Sequence, residues 1–156
     1  MSIKIDANSM VNPKFIDVPF KYGGSKLDGA DCVGIALLWL NDNGVKVSYN
    51  DFTRDIQENG KVLEHWFKKK PSQTLEIIKK HGSLISFQEL RKFDLILLYA
   101  HASVSRYPTG LGVMVDNRHY LSSELDNKSF VRILDTEVKN RCFGGMRLNK
   151  AIDRTD

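Results

Sequence analysis

Hydrophobic positions along this chain change their spacing once, at Gly82. Before it the pattern is helical. Asp31 to Leu40 reads Asp-Cys-Val-Gly-Ile-Ala-Leu-Leu-Trp-Leu, too uniformly apolar for a surface helix. It predicts a buried helix ended by Asn41-Asp42-Asn43-Gly44, with Gly44 suited to a left-handed position past the last turn. Asn50 or Asp51 can cap a second helix through about Glu58, closed by Asn59-Gly60. Val62 to Lys69 continues helically with Leu63, Trp66 and Phe67 on one face, and a further helix is expected from Ser72 to His81-Gly82.

After Gly82 short apolar runs alternate with turn residues. Ser83 to Phe87 and Phe93 to Tyr99 predict strands, with one helical turn capped by Ser86-x-x-Glu89 between them. The segment from His101 to Thr109, containing Pro108, reads as a loop. Strands follow at Leu111 to Val115, His119 to Ser122, Phe130 to Leu134 and Phe143 to Leu148, with turns at Asp116-Asn117-Arg118 and Asp126-Asn127-Lys128. Helices first and an antiparallel meander second make an α+β domain, its N-terminal helices packed on a C-terminal antiparallel sheet. The expected organisation is an N-terminal arm over 1–12, one domain over 13–150 and a short tail over 151–156. Pro13 to Val18 is expected to be extended, before Pro19 and Gly23-Gly24 impose turns.

Composition narrows the classes. With 156 residues the chain suffices for a single core, and no apolar run approaches the roughly 20 residues that span a bilayer. The start Met1-Ser2-Ile3-Lys4-Ile5-Asp6 lacks the basic, apolar and small-residue pattern of a secretory signal, so a cytoplasmic chain is expected unless something else carries it to a cell envelope. The net charge is +4, with the positives scattered among Lys4, Lys14, Lys21, Lys26, Lys68-Lys69-Lys70 and Arg147 and no nucleic-acid-binding signature beside them. Two cysteines in unlike contexts, Cys32 and Cys142, with no clustered histidines, predict neither a disulfide framework nor a metal site, and no cofactor is expected.

The chemistry concentrates at Cys32. It stands on the first turn of the buried helix, behind the glycine turn Pro19-Phe20-Lys21-Tyr22-Gly23-Gly24. Free amides and the helix dipole there are expected to favour a thiolate. Asp31, just before the thiol, is read as the helix cap. Cys32 has an alternative reading as an ordinary buried cysteine.

These residues resemble the NlpC/P60 family, papain-like cysteine peptidases and amidases that cut peptide bridges of bacterial cell walls. Asp31-Cys32-Val33-Gly34 is similar to that family's nucleophile motif, in which serine usually stands at Val33. Phe93-Asp94-Leu95 is similar to its Gly-Asp-Leu strand, Gly110-Leu111-Gly112-Val113-Met114-Val115 to its His-Val-Gly-Ile strand, and Phe143-Gly144-Gly145-Met146-Arg147-Leu148 to its closing strand. The resemblance implies a papain-like fold, Cys32 as nucleophile, Tyr22 near the thiol, and Ser122 as the polar group that would orient the catalytic histidine. In the same register that histidine falls on Gly110, which can accept no proton. His101, in the loop, and His119, after the strand turn, are the substitute bases to consider, against a solvated loop histidine and a strand residue facing away. His65 and His81 read as structural.

A thiol near pKa 8.5 is only a few per cent ionised at neutral pH, and acyl transfer also needs an acid for the leaving amine. The resemblance therefore implies one of two functions. One is a cysteine peptidase or amidase cleaving peptidoglycan peptides through Cys32. The other, which the missing base favours, is a degenerate hydrolase. Small NlpC/P60-like domains occur in tailed-phage tail tips and baseplates, implying a virion component that contacts hub, tail-tube or tape-measure proteins. A cytoplasmic thiol enzyme or acyltransferase of related fold is a third class.

Overall fold

Three antiparallel sheets and a central buried helix make up the computed structural model, which describes residues 7–58, 61–62, 75–76, 79–99, 110–124 and 128–149, with 56, 58, 61 and 62 by backbone alone. The glycine turn leads into a two-stranded hairpin, β1 (Ser25–Lys26) and β2 (Gly29–Ala30), and from it into helix α1 (Cys32–Asp42). A short helix α2 (Tyr49–Thr53) follows, then a 3₁₀ turn at Arg54–Ile56 and a second hairpin, β3 (Gln57–Glu58) with β4 (Lys61–Val62). The large sheet contains β5 (Gly82–Ile85), β6 (Leu95–Leu98), β7 (Gly110–Met114), β8 (His119–Ser122), β9 (Phe130–Ile133) and β10 (Cys142–Leu148), with helix α3 (Thr136–Asn140) between the last two. Their order is β5-β10-β6-β7-β8-β9, so a meander is completed by a last strand that returns between β5 and β6.

Both faces of this sheet are covered, which explains the unbroken Leu-Ile-Leu-Leu of β6, buried at all four positions. Leu95, Leu97, Leu111, Val113 and Leu121 point to α1 and its Val33, Ile35, Ala36, Leu37 and Leu40. Ile96, Leu98, Met114 and Tyr120 point the other way, to Leu90 and to Val138 of α3. The period of two assigns each side chain to one layer.

Polar side chains fix the joints. Asp94, 1% exposed, receives Nε and an Nη of Arg147 at 3.1 and 3.0 Å, tying the start of β6 to β10. Phe93, in the place of the family motif's glycine, has φ of +78°. Ser129 Oγ donates to Phe15 O and accepts from Val18 N–H, fastening the N-terminal segment to the sheet.

Several expectations change. Pro13–Phe15 is a 3₁₀ turn with Asn12 as its cap, because Pro at the first position is preorganised for helical φ. The second helix is capped by Ser48 rather than Asn50 or Asp51. It ends after five residues, and Gln57–Glu58 pairs antiparallel with Lys61–Val62, so the helix does not run to Glu58; Asn59-Gly60 lies outside the described residues. The helices expected over 62–69 and from Ser72 fall mainly outside the described residues. The capping box at Ser86 and Glu89 is present with both of its bonds.

Candidate active site

The site forms where the glycine turn, α1 and β7 meet. Ala30 N–H donates to Pro19 O at 3.0 Å, and Gly24 N–H to Lys21 O at 2.9 Å, which folds the turn back over β2. Gly23 supports this with φ of +73°. Tyr22 lies in the same turn, its ring edge-on to Phe20 at 5.0 Å between centroids.

Asp31 is the hub. It is 1% exposed and caps α1, its Oδ1 accepting Gly34 N–H at 2.7 Å. Its Oδ2 accepts Gly23 N–H at 3.1 Å and the Tyr49 hydroxyl at 2.7 Å. Burial raises its carboxyl to about 6 against the pull of these three donors. Tyr49 went unnoticed in the sequence; the only signal was that a buried capping carboxylate needs more donors than one helix turn provides.

Cys32 is half-buried at the first position of α1. The backbone amides of Leu111, Val33 and Cys32 itself pull the thiol pKa down. These donors do not prevail. Burial first, and the Asp31 carboxylate second, push the thiol up to about 12. The helix start was expected to favour a thiolate; desolvation and an adjacent negative charge outweigh the amides.

Around the sulfur the strands supply backbone and hydroxyl groups. Ser122, 2% exposed, donates from Oγ to Leu111 O at 2.8 Å, the carbonyl of the same residue whose amide acts on the thiol. Ser123 Oγ reaches Ala30 O at 3.5 Å. Gly110 opens β7, next to Leu111, and a Cβ built there meets no described atom within 4 Å.

His119 stands at the other end of the β7–β8 hairpin. Its Nδ1 lies 3.1 Å from each oxygen of Asp116, whose Oδ1 also accepts Arg118 and His119 N–H. Two strand residues, Tyr120 and Leu121, stand between it and Ser122, roughly 10 Å of backbone. His101 lies outside the described residues, as does His65. His81 stacks on Phe52 at 4.6 Å, and burial lowers its pKa. The structure thus brings Cys32, Leu111 and Ser122 together and leaves His119 at the turn. Among the described residues no three His, Cys, Asp or Glu side chains are grouped to hold a metal ion, and no helix is long and apolar enough to cross a membrane.

By sequence, no protein-family model and no curated protein matches the chain. By structure it is similar to an NLP/P60 family lipoprotein-like protein of Staphylococcus aureus subsp. aureus Mu50, with TM-score 0.53 and 14% identity over 86% of this chain and 38% of that one. It is likewise similar to the NlpC/p60 domain of the peptidoglycan hydrolase SagA, with TM-score 0.54 and 13% identity over 87% and 92%. An NlpC/P60 family protein of Bacillus cereus ATCC 10987 aligns with TM-score 0.56 and 16% identity over 91% and 40%. The chain adopts the NlpC/P60 fold. It spans less than half the length of the S. aureus and B. cereus chains, and identities this low fix the fold and not the chemistry.

Proposed function

We propose that this protein is an NlpC/P60-type module of a tailed-phage particle, at the tail tip or baseplate. In that reading it keeps the hydrolase fold and the cysteine while serving assembly rather than turnover. The observation that carries the loss of turnover is Gly110. A cysteine amidase needs a base to take the thiol proton and an acid to protonate the leaving amine, and a glycine does neither. Removing a member of a catalytic triad costs about 10⁴-fold or more in rate. The high thiol pKa of Cys32 acts in the same direction.

Placement in a virion is supported by the resemblance to small tail-associated domains of this fold. Its partners there are hub, tail-tube or tape-measure proteins, with peptidoglycan as a surface to be met. Mass spectrometry of purified virions, with cross-linking to identify neighbours, should find the chain beside tail proteins. Its absence from particles would refute the placement.

Catalysis is tested separately. Purified peptidoglycan incubated with the wild-type chain should release no peptides beyond those seen with Cys32→Ala. Release that Cys32→Ala abolishes would replace this reading with an active cysteine peptidase or amidase acting through Cys32.

A further inference from the structure

The six-stranded sheet has two edges, β5 and β9, and they are finished differently. At β9 the N-terminal segment closes the edge. Asn8 Oδ1 accepts Val131 N–H at 2.9 Å, Asp17 N–H donates to Ser129 O at 3.0 Å, and Ser129 N–H donates to Val18 O at 3.0 Å. At β5 no described residue does this. Its register with β10 runs from Gly82↔Leu148 to Ile85↔Gly145, and Asn149 N–H donates to His81 O at 3.0 Å. Bonding alternates along an antiparallel ladder, so His81, Ser83 and Ile85 turn their backbone groups to β10 while Gly82 and Leu84 turn theirs outward. Among the described residues nothing bonds those outward groups. Ser83 and Leu84 are exposed, Leu84 to 42%. The strand Gly-Ser-Leu-Ile also lacks the charge, proline or bulge that keeps an edge from pairing.

We propose that β5 pairs with β5 of a second copy, antiparallel about a two-fold axis at Ser83, which joins two six-stranded sheets into one. The strand is self-complementary, as a two-fold interface requires. Gly82 of each copy faces Leu84 of the other, and each such pair exchanges both of its N–H···O bonds through the groups now turned outward. Leu84 meets a residue with no side chain to obstruct it. At each end of the pairing, Lys80 faces Ser86 of the other copy, whose N–H and Oγ both hold Glu89 Oε1, at 3.0 and 2.9 Å. A lysine thus meets a fixed carboxylate twice, by symmetry. Lys80 is otherwise engaged with Asp55 in an exposed pair 3.1 Å apart, of the kind worth little, and can turn. An unrelated strand could take the same backbone bonds; the matching of Gly82 to Leu84 and of Lys80 to Glu89 selects a second copy. This inference is independent of whether Cys32 turns over a substrate.

The test uses the whole chain. Sedimentation over about 1 μM to about 1 mM should show a monomer–dimer equilibrium. Leu84→Lys, a charge placed on the exposed edge, should weaken it about tenfold or more. Register is read by cysteine pairing under diamide, which takes up the two hydrogens released as each disulfide forms. Opposed residues of a non-hydrogen-bonded pair lie about 4.5 Å apart at Cα, within disulfide reach, so Ser83→Cys should link to itself across copies. Leu84→Cys lies about 7–8 Å from its counterpart and should link at least about tenfold more slowly. Mass spectrometry separates these links from any through Cys32 or Cys142.

A wild type that stays monomeric over the whole range overturns the proposal and leaves the edge to a strand of another protein. A dimer indifferent to Leu84→Lys also overturns it, because the interface then lies elsewhere. Should circular dichroism show Leu84→Lys to be misfolded, the cysteine variants decide: linking at Ser83→Cys ahead of Leu84→Cys supports the pairing, and equal rates or the reverse order overturn it.

Discussion

Two glycines beside the thiol differ in what they tolerate. Gly34, in the first turn of α1, faces the glycine turn so closely that a Cβ would lie 2.0 Å from Gly24 O and 3.1 Å from both Gly24 C and Ser25 Cα. The first distance is about 1.4 Å short of the 3.4 Å at which ordinary contact begins. The obstacle is backbone, held by Asp31 N–H on that same Gly24 carbonyl at 3.1 Å, so no rotamer change relieves it. Gly34→Ala must push α1 off the turn, and the fully buried Ile35 and Ala36 move with it.

Overpacking of this kind costs roughly 1–3 kcal/mol, with a backbone obstacle at the upper end. Straining the Asp31 cap adds up to about 1 kcal/mol. Alanine returns about 1 kcal/mol of helix propensity, leaving a net loss of about 2–3 kcal/mol. At 2–4 °C per kcal/mol for a chain of this size, that is a fall in Tm of roughly 5–10 °C. Gly110→Ala, whose Cβ meets no described atom within 4 Å, should stay within about 0.5 kcal/mol of wild type. Urea unfolding followed by circular dichroism measures both. A Gly34→Ala chain as stable as wild type would refute the close approach on which the site's geometry rests.

Phe93 carries φ of +78°, and its ring lies 5.6 Å from Trp39. Truncation to glycine relieves about 1–2 kcal/mol of left-handed strain that alanine retains, so Phe93→Gly should be about 1 kcal/mol more stable than Phe93→Ala in urea; the reverse order would contradict the assignment. Tyr120 is fully buried, and its hydroxyl has no partner among the described residues. Tyr120→Phe should raise stability by about 1 kcal/mol, and a loss of that size would mean the hydroxyl is satisfied. Asp31, raised from 3.8 to about 6, binds its proton more tightly folded than unfolded. Its contribution is therefore most favourable below about pH 4 and falls, by up to about 3 kcal/mol, as pH rises to 6. Stability of wild type minus Asp31→Asn should decline over that window, and a flat difference would rule the shift out.

Where a segment's own residues determine its structure, the sequence was enough. α1 runs Cys32–Asp42 behind an Asp31 cap, as its apolar run and turn residues indicate, and β8 has the expected bounds. What escaped was set by tertiary partners. α3 has one buried apolar residue, Val138, so it shows no period of its own and exists to cover the far face of the sheet. The insertion of β10 between β5 and β6 depends on Arg147 reaching Asp94, a contact across 53 residues. At the site, the motif around Cys32 was visible, but the state of its sulfur was not. A helix start alone argues for a thiolate; only the packing shows Asp31 buried and held by Tyr49, and the desolvation that raises the thiol.

The most direct test of this account is the ionisation of Cys32 itself, followed by nuclear magnetic resonance of the cysteine Cβ carbons across pH in the intact, isotope-labelled chain. The account predicts that Cys32 remains a thiol through about pH 9, with a midpoint near 12. A midpoint at or below the ordinary value of about 8.5 would contradict it, and would restore Cys32 as a nucleophile in waiting.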